Sequence, residues 1–167
     1  MSIYLYPAFI ACFTSFIVDY IVTRKMGGTN LNYFIAKQLP ILPPSLFLNP
    51  APWSSKKKLI QWITPRVLEL VYVANDLKPF ANDFGYDGEP FPWNEQRRFQ
   101  LRCELDAAFF ILYGIERDDM DYILEQFPAV KRSDESHYKE YRTKRVIFEY
   151  YDKMKLRNDF SRFGEIY

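Results

Sequence analysis

The distribution of apolar and polar residues along the chain predicts a mainly helical protein. Apolar side chains occupy most positions from 7 to 25, which predicts one long helix that is buried on most sides. Ile10, Phe13, Ile17 and Ile21 form one stripe at helical spacing, and further aromatic residues widen it. A small domain covers only part of such a surface. We therefore expect this segment to associate with a second copy of the chain or with another domain.

Glycine and proline residues divide the part of the chain that follows. Gly27 and Gly28 are suited to end the first helix, and Thr29 or Asn30 to start a short helix over residues 31–38. Prolines at 40, 43 and 44 exclude a central strand, so this strip is predicted as an edge strand or an extended connection. Further prolines at 50 and 52 make residues 45–53 the predicted boundary between a segment 1–44 and a helical region 54–167.

The helical region begins with two predicted helices and a loop. Residues 56–63 are predicted as a short basic helix. Thr64 followed by Pro65 has the pattern of a helix start, which predicts a second helix ending near residue 77. Glycines and prolines interrupt any periodicity from 78 to 92, and this stretch is predicted as a loop.

Three longer helices are predicted beyond that loop. Asn94 is suited to cap a helix that runs to Tyr113 and stops at Gly114. A second helix is predicted over residues 118–127, and a third from Ser133 or Asp134 to about residue 157. The predicted fold class is mainly α, a multi-helix domain with one or two short edge strands.

Composition is compatible with a buried core, since 49% of the 167 residues are hydrophobic and 19% are aromatic. Cys12 and Cys103 lie far apart on apolar helical patterns, which favours buried thiols in a reducing cytoplasm over a disulfide. Asp19 and the Thr14-Ser15 pair interrupt the first apolar segment. We therefore predict a cytoplasmic protein in which this segment does not span a membrane.

Charge is unevenly distributed along the chain, although the net charge is only +1. Residues 1–66 carry a charge of +6, residues 67–132 carry −6, and the remainder carries +1. This asymmetry suggests that the first third faces a polyanion or an acidic neighbour. A solvated surface with uneven charge is an equally good interpretation.

The candidate DNA-contacting residues come from this basic third. A helix start presents N–H groups to phosphate, and asparagine amides can hydrogen-bond to a base edge. The Gly27-Gly28-Thr29-Asn30 loop has a structural interpretation as a pair of caps, and both interpretations can hold together. The candidate residues are Arg24, Lys25, Thr29, Asn30, Asn32, Lys37, Lys56, Lys57 and Lys58.

Catalytic chemistry is not evident in the sequence. His137, the one histidine, lies among polar residues and is predicted to be a surface residue. The carboxylates around Asp118 are better explained by the preference of acidic side chains for a helix start than by metal binding. The arginines at 97, 98 and 102 are expected to form ion pairs within and between helices. No catalytic, cofactor-binding or metal-binding residue is assigned.

Several blocks of sequence resemble the C-terminal region of adenine-N6-specific DNA methyltransferases from restriction-modification and phage-defence systems. The order of these blocks covers nearly the whole chain. They are the loop at 27–30, Gln38-Leu39-Pro40, Pro65 to Leu70, Asp76 to Ala81, Trp93 to Arg98, Glu104 to Gly114, and Glu140 to Arg145.

The resemblance implies a role without an activity of its own. In such enzymes an upstream catalytic domain holds S-adenosylmethionine, while the C-terminal part recognises double-stranded DNA and packs on the catalytic core. Residues 1–44 then correspond to the end of a target-recognition domain, which contributes the edge strands. The chain lacks both a glycine-rich cofactor turn and an Asn-Pro-Pro-aromatic motif; Leu42-Pro43-Pro44-Ser45 comes nearest. The alternative prediction is a helical protein-interaction or scaffold module that does not bind DNA.

Overall fold

The computed structural model describes residues 3–26 and 30–163, and within these ranges the fold is mainly α. Its two strands, β1 (Pro50–Ala51) and β2 (Ser54–Lys58), form one antiparallel hairpin. The predicted fold class of many helices with short edge strands is confirmed. The helices are α1 (Tyr6–Phe13), α2 (Phe16–Lys25), α3 (Tyr33–Ala36), α4 (Leu59–Val71), α5 (Lys78–Asp83), α6 (Glu95–Leu112), α7 (Arg117–Glu125), α8 (Pro128–Tyr138) and α9 (Arg142–Phe163).

The long N-terminal helix predicted for residues 7–25 is wrong, because two helices meet there at an angle of 59°. Ser15 has extended backbone at the break, and its hydroxyl donates to the Cys12 carbonyl over 2.7 Å. The predicted stripe is divided by this break. Ile17 is buried with 3% exposure, whereas Phe13 is 37% exposed. Among the described residues, no single helix is long and apolar enough to cross a membrane, although α1 and α2 taken together have the length and hydropathy of a span.

The short helix after the first segment begins later than predicted. Asn32 is the N-cap of α3, and its side-chain oxygen accepts from the Ile35 N–H over 2.9 Å. The start predicted at Thr29 or Asn30 is therefore wrong, and Gly27, Gly28 and Thr29 lie outside the described residues. The proline strip that follows is an extended connection, held where the Tyr113 hydroxyl donates to the Pro40 carbonyl over 2.8 Å.

A hairpin replaces the first turn of the basic helix predicted at residues 56–63. Ala51 and Trp53 are buried at the turn, and Leu59 is buried immediately after β2. These apolar anchors hold the lysines between them in extended conformation. The Gln61 side chain accepts from the Lys58 N–H over 3.0 Å, so α4 begins directly after the strand.

The helix α4 passes through Pro65, where a new helix had been predicted to start. Proline costs about 3 kcal/mol in a helix interior. Trp62 and Ile63 before the proline and Val67 after it are all buried, and burial of each such side chain contributes about 1.5–3 kcal/mol. Their combined burial outweighs the proline, so one helix continues from Leu59 to Val71.

The predicted loop at 78–92 contains α5, which the interrupting glycines and prolines concealed. Pro79 lies in the first turn, where proline is tolerated. Ala81 is fully buried with Leu68 and Tyr72 in a small second core. Aromatic packing around this core fixes the segment against α4.

The central helix α6 agrees with the sequence. Asn94 caps it by accepting from the Arg97 N–H over 2.9 Å, and Gly114 follows its end with a φ of +69°. Of the three arginines expected to form ion pairs, Arg97 pairs with Glu69 on α4, whereas Arg98 donates to the Leu70 carbonyl. Glu104 on the same helix pairs with Arg66. Cys103, on the same helix, is a buried free thiol like Cys12.

The last two predicted helices have different limits in the structure. Glu116 is the N-cap of α7, which makes the predicted start at Asp118 slightly late. The single helix predicted from 133 to 157 is wrong, because α8 ends at Tyr138 and the residue that follows, Lys139, has a φ of +62°. Asp134 lies inside α8 and accepts from the Thr143 N–H over 2.6 Å, so it caps α9 rather than starting it.

The main core contains buried residues from both sides of the predicted boundary at 45–53. It runs from Ala8 on α1 through Phe47 and Ile63 to Phe109 and Met154. The division of the chain at this boundary stays a prediction. This core fixes α4, α6 and α9 relative to one another and thereby positions the hairpin on the surface.

Candidate nucleic-acid interface

The hairpin presents three consecutive lysines to solvent. Lys56, Lys57 and Lys58 occupy the last three positions of β2, and all three are exposed. We call them the lysine strand. Alternation along a strand places Lys56 and Lys58 on one face, with their Cα atoms about 7 Å apart. This spacing is comparable to that of successive phosphates along a nucleic-acid strand.

Packed side chains of α4 and α6 support the hairpin on its buried side. Trp53 packs edge-to-face against Trp62, with ring centroids 5.0 Å apart. The Arg66 guanidinium lies 3.7 Å from the Trp62 ring centroid and forms two hydrogen bonds with the Glu104 carboxylate. This packing connects the hairpin to α4 and α6, and it therefore holds the lysine strand in a defined position on the surface.

The remaining candidates on α2 lie at its C-terminus. Arg24 and Lys25 occupy the last turn, where cations are favoured by the helix dipole. The Arg24 guanidinium donates over 2.5 Å to Gln126, the residue that follows α7, and lies 5.2 Å from the Tyr20 ring centroid. Both residues therefore have a structural explanation that does not require a bound phosphate.

Among the candidate DNA-contacting residues near α3, one caps the helix and others lie exposed on the surface. Asn32 uses its side-chain oxygen as a cap, which leaves its amide N–H groups for other partners. Asn30 is exposed, and the Lys37 ammonium lies 4.3 Å from the Tyr33 ring centroid. Thr29 lies outside the described ranges. The structure brings the three lysines of β2 together, whereas Arg24 contacts α7 and α3 precedes the strip held by Tyr113.

Ion pairing differs between the part of the chain before residue 60 and the part from residue 66 onward. Among the side chains that the structure describes, which end at residue 156, all nine ion pairs take their cations from residues 66 to 155. Within the same described residues, the six cations before residue 60 have no carboxylate partner, and they are Arg24, Lys25, Lys37, Lys56, Lys57 and Lys58. The positive charge of these six residues is therefore available to an external anion.

A groove beside the lysine strand was missed in the sequence. Aromatic side chains of the predicted loop form one wall, and α4 forms the floor, of an open groove with a volume of about 730 Å³. We call this the aromatic groove; its rings belong to Tyr4, Phe84, Tyr86 and Phe91, and Lys58 lies at its rim. The sequence feature that could have indicated this groove is the unusual density of aromatic residues between 80 and 93.

A second cavity, of about 400 Å³, lies between α2, α6 and α8. Asp106 and Asp134 line it, but both carboxylates accept backbone hydrogen bonds at helix starts. Burial raises the pKa of the Asp106 carboxyl to about 7, and the hydrogen bond from Phe16 opposes this shift. These carboxylates hold helices in place, which accounts for their burial without a ligand.

The polar residues considered for catalysis have structural roles. His137 is exposed on α8, as predicted, and its ring contacts the Ser133 carbonyl. In the acidic cluster, Asp121 pairs with Lys144 and Glu116 with Lys155.

No protein-family model matches the chain, and searches of curated proteins and of solved structures find no significant match to it. The resemblance to adenine-N6 DNA methyltransferases therefore stays a prediction from the sequence.

Proposed function

We propose that this chain is the non-catalytic C-terminal part of a cytoplasmic adenine-N6 DNA methyltransferase of a restriction-modification or phage-defence system. It contacts double-stranded DNA through its basic first third and packs on the catalytic domain or subunit. Methyl transfer and S-adenosylmethionine binding belong to that other part. The proposal combines the sequence resemblance with the charge distribution of the folded chain.

The observation that carries the DNA contact is the division between paired and unpaired cations. Exposed pairs such as Arg145 with Glu149 neutralise the surface of the later helices. The lysine strand has no such neutralisation among the described residues. Lysines that neutralise phosphates release condensed counterions, which gives affinity that does not depend on sequence but falls steeply with salt.

The apolar surface of α1 supports the second part of the proposal. Tyr6, Phe9 and Phe13 lie at helical spacing and are all partly exposed, and the last two rings stack 5.6 Å apart. Exposed apolar side chains grouped in this way are typical of an interface with another protein surface.

A charge-reversal variant tests the DNA contact. We expect Lys56→Glu, Lys57→Glu and Lys58→Glu together to abolish most binding to a random-sequence duplex in a fluorescence anisotropy titration at low salt. Lys-to-Gln changes at the same positions should lower the slope of log affinity against log salt by up to about 3, since each neutralised phosphate contributes about 0.9.

The matched control carries the same change in charge on other exposed positions. Lys78→Glu, Arg132→Glu and Lys153→Glu alter α5, α8 and α9 and should leave most of the affinity intact. If the strand variant binds like the parent chain, the lysine strand is not the contact surface. If the parent chain does not bind duplex at all, the protein-interaction module without DNA binding becomes the better interpretation.

The alternative has its own supporting observation at α3. Tyr33 and Phe34 are 76% and 71% exposed, which is unusual for adjacent aromatic residues. A module that binds only proteins would use this surface and would show no salt-sensitive DNA affinity.

A further inference from the structure

The aromatic groove opens next to the lysine strand and has the dimensions of a ligand site. Its volume of about 730 Å³ lies within the range of 300–1,000 Å³ that is usual for small-molecule sites. Tyr4 is 64% exposed at its edge and packs against Phe84, with ring centroids 6.5 Å apart. Tyr86 and Phe91 stack at 4.8 Å along the same wall. Flat rings of this kind offer stacking surfaces to another ring.

The charge at the groove favours an anionic ligand. Lys58 lines the rim and is the last residue of the lysine strand. Glu69 also lines the groove, but two hydrogen bonds from the Arg97 guanidinium, at 2.7 and 2.9 Å, occupy its carboxylate. Among the residues that line the groove, the unpaired charge is therefore that of Lys58.

The polar groups on the floor are oriented by the backbone. Gln61 accepts from the Lys58 N–H through its side-chain oxygen, so its amide N–H groups remain as donors. The Thr64 hydroxyl donates to the Ile60 carbonyl, which leaves its oxygen lone pairs as acceptors. Donors and acceptors beside an aromatic wall suit the edge of a heterocyclic base.

We infer that the aromatic groove binds an unpaired nucleobase of a nucleic acid whose phosphates contact the lysine strand. This inference rests on the proposed function and specifies its substrate. In this arrangement Lys58 at the rim contacts a phosphate, and the aromatic rings of the wall stack on the face of the base. The Gln61 amide on the floor hydrogen-bonds to the edge of the same base. Bases inside a duplex are already stacked, so the groove selects single-stranded or locally opened DNA.

The test compares three labelled ligands with the same number of phosphates. They are a single-stranded thymidine oligonucleotide, its fully abasic counterpart, and a blunt duplex, each titrated by fluorescence anisotropy. The parent chain should bind the thymidine strand at least about fivefold more tightly than the abasic strand, since stacking on an aromatic side chain favours each bound base by this factor or more. Tyr4→Ala should remove most of that preference, and Lys58→Gln should weaken both single strands.

Tyr122→Ala is the matched control, because Tyr122 is a similarly exposed tyrosine on α7. Circular dichroism of each variant checks that the helices are retained. Equal affinity of the parent for the thymidine and abasic strands would overturn the inference. So would a preference that Tyr4→Ala leaves intact. In both cases duplex binding that still depends on the lysine strand would leave the proposed function standing. An acidic aromatic peptide provides a further check. If the peptide saturates the groove and thymidine strands do not displace it, the groove belongs to a protein partner and the inference is overturned.

Discussion

The Asp106 carboxylate accepts a hydrogen bond from the backbone N–H of Phe16 over a distance of 2.9 Å. Asp106 lies in the middle of α6, and Phe16 is the first residue of α2. The contact therefore satisfies a free N–H group at a helix start from a distant part of the sequence. It also stabilises the break between α1 and α2, since a continuous helix would use that N–H internally.

Removing the charge of Asp106 should change how stability depends on pH. The folded-state pKa is raised from 3.8 to about 7 by burial, so the native state binds this proton more tightly than the unfolded state does. The resulting stability is complete below about pH 4 and is lost as pH rises through about 7, by up to about 4 kcal/mol.

Asp106→Asn retains an acceptor for Phe16 but does not ionise. We expect urea denaturation to show a smaller loss of stability between pH 5 and pH 8 than in the parent. Asp106→Ala, the companion variant, should be less stable than Asp106→Asn at both pH values by about 1–3 kcal/mol, because the Phe16 N–H loses its partner. A parent chain whose stability rises over this range in comparison with Asp106→Asn would contradict the argument.

Two serine substitutions separate the inner and outer sides of the N-terminal helices. Ile17→Ser should cost about 3–5 kcal/mol, since it leaves a cavity and places a hydroxyl in the core. Phe13→Ser should cost much less, because its ring is partly exposed and stacks on Phe9.

The same pair tests whether α1 is an interface. Sedimentation velocity at rising concentration should show association of the parent chain that Phe13→Ser weakens while the fold is retained. A parent chain that remains a monomer at high concentration would exclude association of two copies through α1.

The ion pair below the hairpin should be stronger than those on the surface. Arg66 contacts Glu104 in a bidentate geometry and also lies over Trp62, and both charged side chains are mostly buried. A double-mutant cycle with Arg66→Met and Glu104→Gln should give a coupling free energy of about 1–2 kcal/mol. The exposed Arg145 and Glu149 pair provides the comparison and should give about 0.5 kcal/mol or less. Equal coupling in the two cycles would show that burial adds nothing here.

The isolated chain should neither bind S-adenosylmethionine nor transfer methyl groups. Its sequence lacks the glycine-rich turn that would hold the cofactor and the Asn-Pro-Pro-aromatic motif that would hold adenine. Isothermal titration calorimetry should give no heat of binding at micromolar concentrations. Binding of S-adenosylmethionine with micromolar affinity would contradict the assignment of a non-catalytic role.

Where local signals agreed with one another, the sequence alone was sufficient. Asn94 as a cap, an apolar stripe and Gly114 as a stop all specify the same helix, and α6 has those limits. The mainly helical class and the burial of both cysteines follow from periodicity in the same way. Such features depend on residues a few positions apart, which a linear pattern contains.

Tertiary contacts decided the elements in which local signals were weak or misleading. Pro65 remains inside α4 because the core buries side chains on both sides of it, and the lysines at 56–58 are extended because Trp53 and Leu59 anchor the ends of β2. The break at Ser15 depends on Asp106, which is 90 residues away from Phe16. The candidate site shows the same division. Its cations were visible in the sequence, but the aromatic groove beside Lys58 exists only because distant rings pack on α4.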